Sequence, residues 1–204
     1  MIFNSSKNDK ILMMDVTKNH NNTSEIYEDI WKSLDKGVRD RFSDYHTFSL
    51  ATSSKDIAEI RTVVLRGYDR QNQSIIFHTN NLTNKIHEIK NNSSVGALFY
   101  DRKGKIQIRF NGDAVINNMD QYCKERWNKM SAQSQECYYQ NISPGRNIES
   151  PEIVKNKLEN KLSENFTVIT INISKIDWLY LSSKGHTRVK FLKNDGFTGQ
   201  WIAP

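Results

Sequence analysis

Residues 94–110 read Ser94-Val95-Gly96-Ala97-Leu98-Phe99-Tyr100, then Asp101-Arg102-Lys103-Gly104, then Lys105-Ile106-Gln107-Ile108-Arg109-Phe110. The third run alternates polar with apolar at every step, the two-residue period of a strand with one buried face. The first run is apolar and β-prone, and the four polar residues between them suit a tight hairpin turn. A hairpin is therefore predicted, with its second strand continuing through Gly112-Asp113-Ala114-Val115-Ile116.

The same period extends upstream. His46 to Thr52 alternates, Ser53 to Asp56 turns, and Ile60 to Arg66 is β-branched. Tyr68 to Gln73 turns again, and Ser74 to Thr79 forms a third strand. A loop over 80–82 leads into a short helix from Thr83 to Asn91, with Ile86 and Ile89 on one side. Downstream, Met119 to Met130 reads as a helix and 131–150 as a loop containing Pro144-Gly145. Pro151 to Leu162 reads as a charged helix. Phe166 to Ile173 is a strand, and Ile176–Leu181 with His186–Leu192 closes the chain as a hairpin that ends at Trp201. Before the first strand, Ile26, Tyr27, Ile30, Trp31 and Leu34 recur at helical spacing behind a Ser or Thr cap. Gly37 either ends that helix or marks a joint before a continuation to Arg41. Short strands with polar turns and inserted helices predict a mainly β, α+β fold, an antiparallel barrel. Residues 1–22 are expected to be a flexible arm and 23–204 a single domain.

Composition narrows the function classes. The 204 residues carry 29 Lys and Arg against 23 Asp and Glu, a net charge of +6. That surplus favours an anionic partner, which includes phosphate-bearing ligands and, with a low prior, nucleic acid. Two cysteines, Cys123 and Cys137, cannot build a disulfide scaffold, and a reduced cytoplasmic setting is expected. No apolar run is long enough to span a bilayer as a helix. The five histidines form no pair with another His or Cys at metal spacing, so no metal is expected. There is no nucleophile elbow and no Gly-rich phosphate loop. Trp31, Trp127, Trp178 and Trp201 each lie in amphipathic segments and read as packing residues rather than a stacking platform.

The densest chemistry lies between Arg61 and Gln107. Two strands bring Arg61 and Arg66 into one region. The third strand ends in His78 and Thr79, and the helix start adds Thr83, Asn84 and Lys85. Helix-start N–H groups, hydroxyls, a guanidinium and an ammonium make a plausible phosphate cradle. A solvated rim with a helix cap has the same composition, and the residues alone leave both readings open.

The ordered set Arg61-Thr62-Val63-Val64-Leu65-Arg66, Phe77-His78-Thr79-Asn80, Thr83-Asn84-Lys85 and Gln107-Ile108-Arg109 resembles the flavin-binding series of the pyridoxamine 5′-phosphate oxidase split-barrel family. The helix containing Trp127, the Ser131 and Ser134 that follow it, Pro144-Gly145, and the ending from His186 to Pro204 resemble it as well. The resemblance implies an FMN-binding split barrel. Arg61 and Lys85 would bind the FMN phosphate, helped by Thr79 and Thr83. The backbone of Thr62, Val63, Val64 and Leu65 would run beside the isoalloxazine. Arg66 would lie near flavin and substrate, and Gln107 would reach the polar edge of the ring. His78 and Asn84 fall within the same binding stretches. Gln133 and Ser134 match residues that reach FMN from the other subunit, which implies a homodimer with FMN at its interface. His186 and Arg188 fall in the substrate-facing C-terminal stretch and are the catalytic candidates with Arg66.

The sequence also departs from the family. Asn84 stands where an Arg is common, and Gln135 where many members have Arg. Gly185-His186-Thr187-Arg188-Val189-Lys190 replaces an Arg-Leu-His-Asp-Arg stretch with a shifted register. The helix from Met119 to Met130 offers no match to the family's substrate-binding Tyr and Arg. The resemblance thus implies an FMN-dependent oxidoreductase acting on an unspecified small molecule. A non-catalytic binder of FMN or another cofactor is the alternative, and a nucleic-acid-binding barrel a more distant one.

Overall fold

The computed structural model describes residues 20–54, 56–156, 159 and 161–204. Most of the expected N-terminal arm, residues 1–19, lies outside them. The first helix, α1 (Thr23–Arg39), is capped by Asn22 rather than by a Ser or Thr. The Asn22 side-chain oxygen accepts from Ser24 N at 2.9 Å and Glu25 N at 3.4 Å. Gly37 does not end the helix. It is buried, and a Cβ there would collide with the backbone of Tyr45, so the glycine serves a close approach.

Eight strands follow: β1 (Thr47–Ser54), β2 (Ile57–Asp69), β3 (Ser74–Asn80), β4 (Ser94–Asp101), β5 (Ile106–Asn118), β6 (Phe166–Tyr180), β7 (Thr187–Leu192) and β8 (Gly199–Ile202). All neighbours are antiparallel in the order β3-β2-β1-β4-β5-β6-β7-β8, and β3 also pairs with β6. That closure makes a barrel of the first six strands, with β7 and β8 as an outer wing. The 94–110 hairpin forms as read, with Ala97 opposite Phe110 and Phe99 opposite Ile108.

β6 is one continuous strand, not the two pieces read from sequence. Its first half, Phe166–Asn172, pairs with β3, and its second half, Lys175–Tyr180, pairs with β7. Along β5 the register jumps from Asn111↔Lys175 to Gly112↔Ile173, leaving Ser174 as an extra residue. Bulges of this kind let a strand bend between two partners. Gly112 is required there, because a Cβ would overlap the Asn172 carbonyl.

The barrel interior is filled by Phe48, Leu50, Phe77, Phe99, Phe110 and Ile171, all essentially buried, and α1 covers one end with Ile26, Ile30, Trp31 and Leu34. Burial of such side chains contributes roughly 1.5–3 kcal/mol each. A second cluster of Ile76, Cys123, Trp127, Phe166 and Val168 lies outside the barrel wall. It seats α3 (Gln121–Asn128), whose N-cap Asp120 accepts from Cys123 N at 2.8 Å. The short α4 (Ala132–Glu136) follows within the stretch expected to be loop.

The charged helix expected over 151–162 does not form among the described residues. Only a 3-10 turn, Pro151–Ile153, is helical, and Val154 is extended. Asn141 Oδ1 accepts from Lys155 N at 2.8 Å, and Gln140 bridges Asn156. These contacts satisfy the backbone that a helix would otherwise have used. The other helix between strands, α2 (Asn84–Asn91), sits at one end of the barrel with Ile86 and Ile89 buried.

Candidate functional site

β2 and β3 part company at the site. They are paired from Asp69↔Ser74 up to Leu65↔Phe77, and no ladder joins them beyond that point. Arg61 to Val64 remain paired to β1 on one side only, with Leu50↔Arg61 and Thr47↔Val64. The wall therefore forks, with Arg61–Val64 on one prong and His78–Asn80 with the start of α2 on the other.

The upper part of the fork gathers the predicted phosphate residues. Lys85 Nζ donates to Thr79 Oγ1 at 3.1 Å, and Thr79 and Thr83 hydroxyls lie 3.4 Å apart. Thr83 caps α2 without a side-chain cap hydrogen bond, so the N–H groups of the helix start are not capped by its hydroxyl. Asn84 is exposed at the first helical position. Arg61 donates from NH2 to Glu88 Oε2 at 2.8 Å and from NH1 to Thr52 Oγ1 and the Glu59 carbonyl. Burial lowers the proton affinity of Lys85, and nearby Arg61 lowers it further, while Glu88 opposes both. The ammonium is thus held among donors and a second cation, a setting that favours an arriving anion.

At the base of the fork, the shift from Leu65↔Phe77 to Gly67↔Ile76 leaves Arg66 as an unpaired bulge residue. The bulge exposes the Arg66 side chain and frees its carbonyl, which accepts from Arg126 NH1 at 3.2 Å. Arg126 NH2 also donates to the Tyr122 hydroxyl at 3.1 Å, and its guanidinium lies 5.1 Å from the Tyr122 ring centre. Gly67 allows this approach, since a Cβ there would lie 3.0 Å from Arg126 NH1. Arg66, Tyr122, Arg126, Lys129, His78 and Ser134 line a cavity of about 470 Å³ at this point.

His78 is neutral here. Burial, followed by the charges of Arg126 and Arg66, pushes its pKa down to about 3. Its ring meets the edge of Phe166 at 4.9 Å, and Nε2 is buried without a hydrogen-bond partner among the described residues. Of the β2 stretch, Val63 and Leu65 point into the core, whereas Thr62 and Val64 lie on the opposite face.

Other predicted residues stand apart within one chain. Gln107 lies on β5, opposite Tyr100 and Leu179, with β1 and β4 between it and β2. Gln133 is exposed on α4, while Ser134 lines the cavity of its own chain. His186 sits in the exposed β6–β7 turn, its Nδ1 accepting from Ser182 N at 3.1 Å. Arg188 holds buried Asp177 through two bonds, Nε to Oδ1 at 3.0 Å and NH2 to Oδ2 at 2.8 Å, and Arg109 adds a third at 2.6 Å. Neither His186 nor Arg188 lines the Arg66 cavity.

The sequence reading found no match in the Met119–Met130 helix to the family's substrate-binding Tyr and Arg, yet that helix brings a Tyr and an Arg to the cavity. Tyr122 and Arg126, four residues apart on α3, share the face turned to the cavity. The i, i+4 spacing was the available signal. Residues 28–118 match the family described as pyridoxamine 5′-phosphate oxidase, FMN-binding domain. Over those residues the chain is similar to that family, and its fold is a split barrel.

Solved structures agree on the fold. One is a pyridoxamine 5′-phosphate oxidase-related, FMN-binding protein from Nostoc punctiforme PCC 73102, 19% identical over 87% of this chain and 96% of that one, with a TM-score of 0.70. Another is PhzG from Burkholderia lata 383, solved in complex with tetrahydrophenazine-1-carboxylic acid, 15% identical over 96% and 98%, with a TM-score of 0.69. A Clostridium acetobutylicum protein related to general stress protein 26 is 11% identical over 85% and 98%, with a TM-score of 0.56. No curated protein sequence matches the chain. Among the described residues of this split barrel, no helix is long and apolar enough to cross a membrane, and no cluster of three His, Cys, Asp or Glu side chains is placed to hold a metal.

Proposed function

We propose that the chain binds FMN in the fork between β2 and β3 and acts as an oxidoreductase on a small anionic substrate. The observation that carries this reading is the fork itself. It leaves Arg61–Val64 unpaired on the β3 side, while Lys85, Thr79 and Thr83 are grouped at the end of β3 and the start of α2, with Arg61 near enough to act on Lys85. The donor set fits a phosphate monoester. Two cations, two hydroxyls and helix-start N–H groups that the Thr83 hydroxyl does not cap match a dianion with several acceptor oxygens. The one-sided β2 edge, Thr62 to Val64, offers backbone groups to a planar ring system. When bound, the flavin supplies the two-electron chemistry, and the protein supplies position and charge.

The cavity beneath supports an anionic substrate. Arg66, Arg126 and Lys129 surround it with positive charge, and Tyr122 adds a hydroxyl. Such a site favours a carboxylate or phosphate on the substrate, to which Arg126 can donate. Neutral His78 offers no competing charge. Gln107, Gln133, His186 and Arg188 do not reach the fork within one chain, and the proposed enzyme is a homodimer in which a second copy completes the pocket. The setting proposed is cytoplasmic.

A second reading, a cofactor carrier without turnover, draws on Arg188, which is spent on Asp177 rather than turned to a substrate. The two are separated by one experiment. Purified chain is titrated with FMN, its spectrum and native mass are recorded, and the oxidised flavoprotein is then mixed anaerobically with small anionic donors before oxygen is admitted to reoxidise it. Flavin bands with a dimer mass and substrate-dependent reduction support the enzyme. Bound flavin with no reduction supports the carrier, and no flavin binding refutes both.

A further inference from the structure

Glu88 is an unusual residue to find on α2. Its side chain is only 8% exposed, yet it carries a carboxylate, which is costly to bury unless partnered. Its partners all belong to the proposed phosphate cradle or its support. Oε2 accepts from Arg61 NH2 at 2.8 Å and from the Thr52 hydroxyl at 2.5 Å, and Thr52 in turn accepts from Arg61 NH1. Arg61 also donates NH1 to the Glu59 carbonyl at 3.2 Å.

An arginine has five N–H donors. Three of those of Arg61 are taken by Thr52, Glu59 and Glu88, and the remaining two have no partner among the described residues. The guanidinium is therefore anchored from behind, on β1, β2 and α2 at once, with donors left over. From this geometry we infer that Glu88 is a positioning residue, which with Thr52 fixes the Arg61 guanidinium so that its spare donors meet the phosphate of the bound nucleotide.

The inference rests on the FMN reading above and adds a role that touches no ligand. Without the anchor, a long side chain must be ordered by the ligand itself, and part of the binding energy goes to that ordering. Thr52 lies opposite Glu59 in the β1–β2 ladder, so the anchor is built into the barrel wall and not into a loop.

The test compares FMN with riboflavin, which has the same ring and no phosphate, by flavin fluorescence quenching on the full chain. Glu88→Leu is expected to weaken FMN binding about tenfold while leaving riboflavin affinity unchanged. Glu88→Gln keeps an acceptor oxygen for Arg61 and is expected to recover most of that loss. Should Glu88→Leu fail to fold, Thr52→Val removes the shared hydroxyl while keeping the ion pair, and is expected to weaken FMN about threefold. Wild-type protein that ignores FMN refutes the FMN reading and this inference together. Wild-type protein that binds FMN, with a folded variant whose FMN affinity is undiminished or falls in step with riboflavin, refutes the inference alone.

Discussion

Replacing Lys85 with Met tests the phosphate cradle most directly. The substitution keeps the length and apolar stem of the side chain, so the packing of α2 over the barrel end is retained. What is lost is one ammonium, now 3.1 Å from Thr79 Oγ1 and beside Arg61. A charge-assisted hydrogen bond to a phosphate oxygen is worth roughly 1.5–3 kcal/mol. At 1.4 kcal/mol per tenfold, the FMN dissociation constant should rise by about one to two orders of magnitude. The pH dependence carries a second signature. Burial and Arg61 hold the Lys85 pKa below its ordinary value of 10.5 in the free protein. The protonated form binds the phosphate, so affinity is full at neutral pH and falls as pH rises through that lowered value. The decline thus begins at less alkaline pH than an ordinary lysine would give, and it should vanish in Lys85→Met. Titration by flavin fluorescence from neutral to alkaline pH, with thermal melts to confirm folding, measures both. An unchanged dissociation constant in a folded variant would refute the cradle.

Arg126→Met should leave FMN affinity within about twofold, yet raise the KM for an anionic substrate or the Kd of a carboxylate inhibitor about tenfold or more. Steady-state kinetics or inhibitor-induced flavin difference spectra read the split, and equal losses for FMN and anion would count against separate subsites. Asp177→Asn should destabilise the fold by about 3–5 kcal/mol, because it leaves Arg109 and Arg188 around a buried neutral group. Burial pulls the Asp177 pKa up, but the hydrogen bonds and charges of Arg188 and Arg109 outweigh it and hold it below the usual 3.8. The contribution of Asp177 to stability is therefore present above its ordinary pKa and is lost as pH falls through the lowered one, so denaturant melts of wild type and variant should draw together only as pH falls progressively below 3.8.

The fold was legible wherever pairing is local. The 94–110 hairpin announced itself because alternation, turn and partner all fall within seventeen residues. β6 was divided in reading because Ser174-Lys175 interrupts its apolar run, and only the change of partner from β3 to β7 explains why one strand crosses that point. The 151–162 helix failed because charge spacing cannot register the competing bonds that Asn141 makes to Lys155. Arg61, Thr79, Thr83 and Lys85 were proposed from their order along the chain, and the structure puts Thr79, Thr83 and Lys85 side by side with Arg61 near Lys85. Glu88 was passed over because its partner lies on another strand, 27 residues away. A polar residue on a helix is assigned to water by default when its partner cannot be seen. Tyr122 and Arg126 needed the β2 bulge, a tertiary feature, to gain meaning.

That bulge has an implication for how this wall tolerates change. Leu65 and Gly67 oppose consecutive residues of β3, so the ladder skips Arg66 entirely. Deleting Arg66 would let the two strands zip without moving any other pair, and the parity of core-facing residues on either side would stand. The position is spare to the β2–β3 ladder while its side chain lines the cavity. Chain length here can vary independently of the scaffold, and a natural insertion or loss at this spot would retune the pocket without re-registering the barrel.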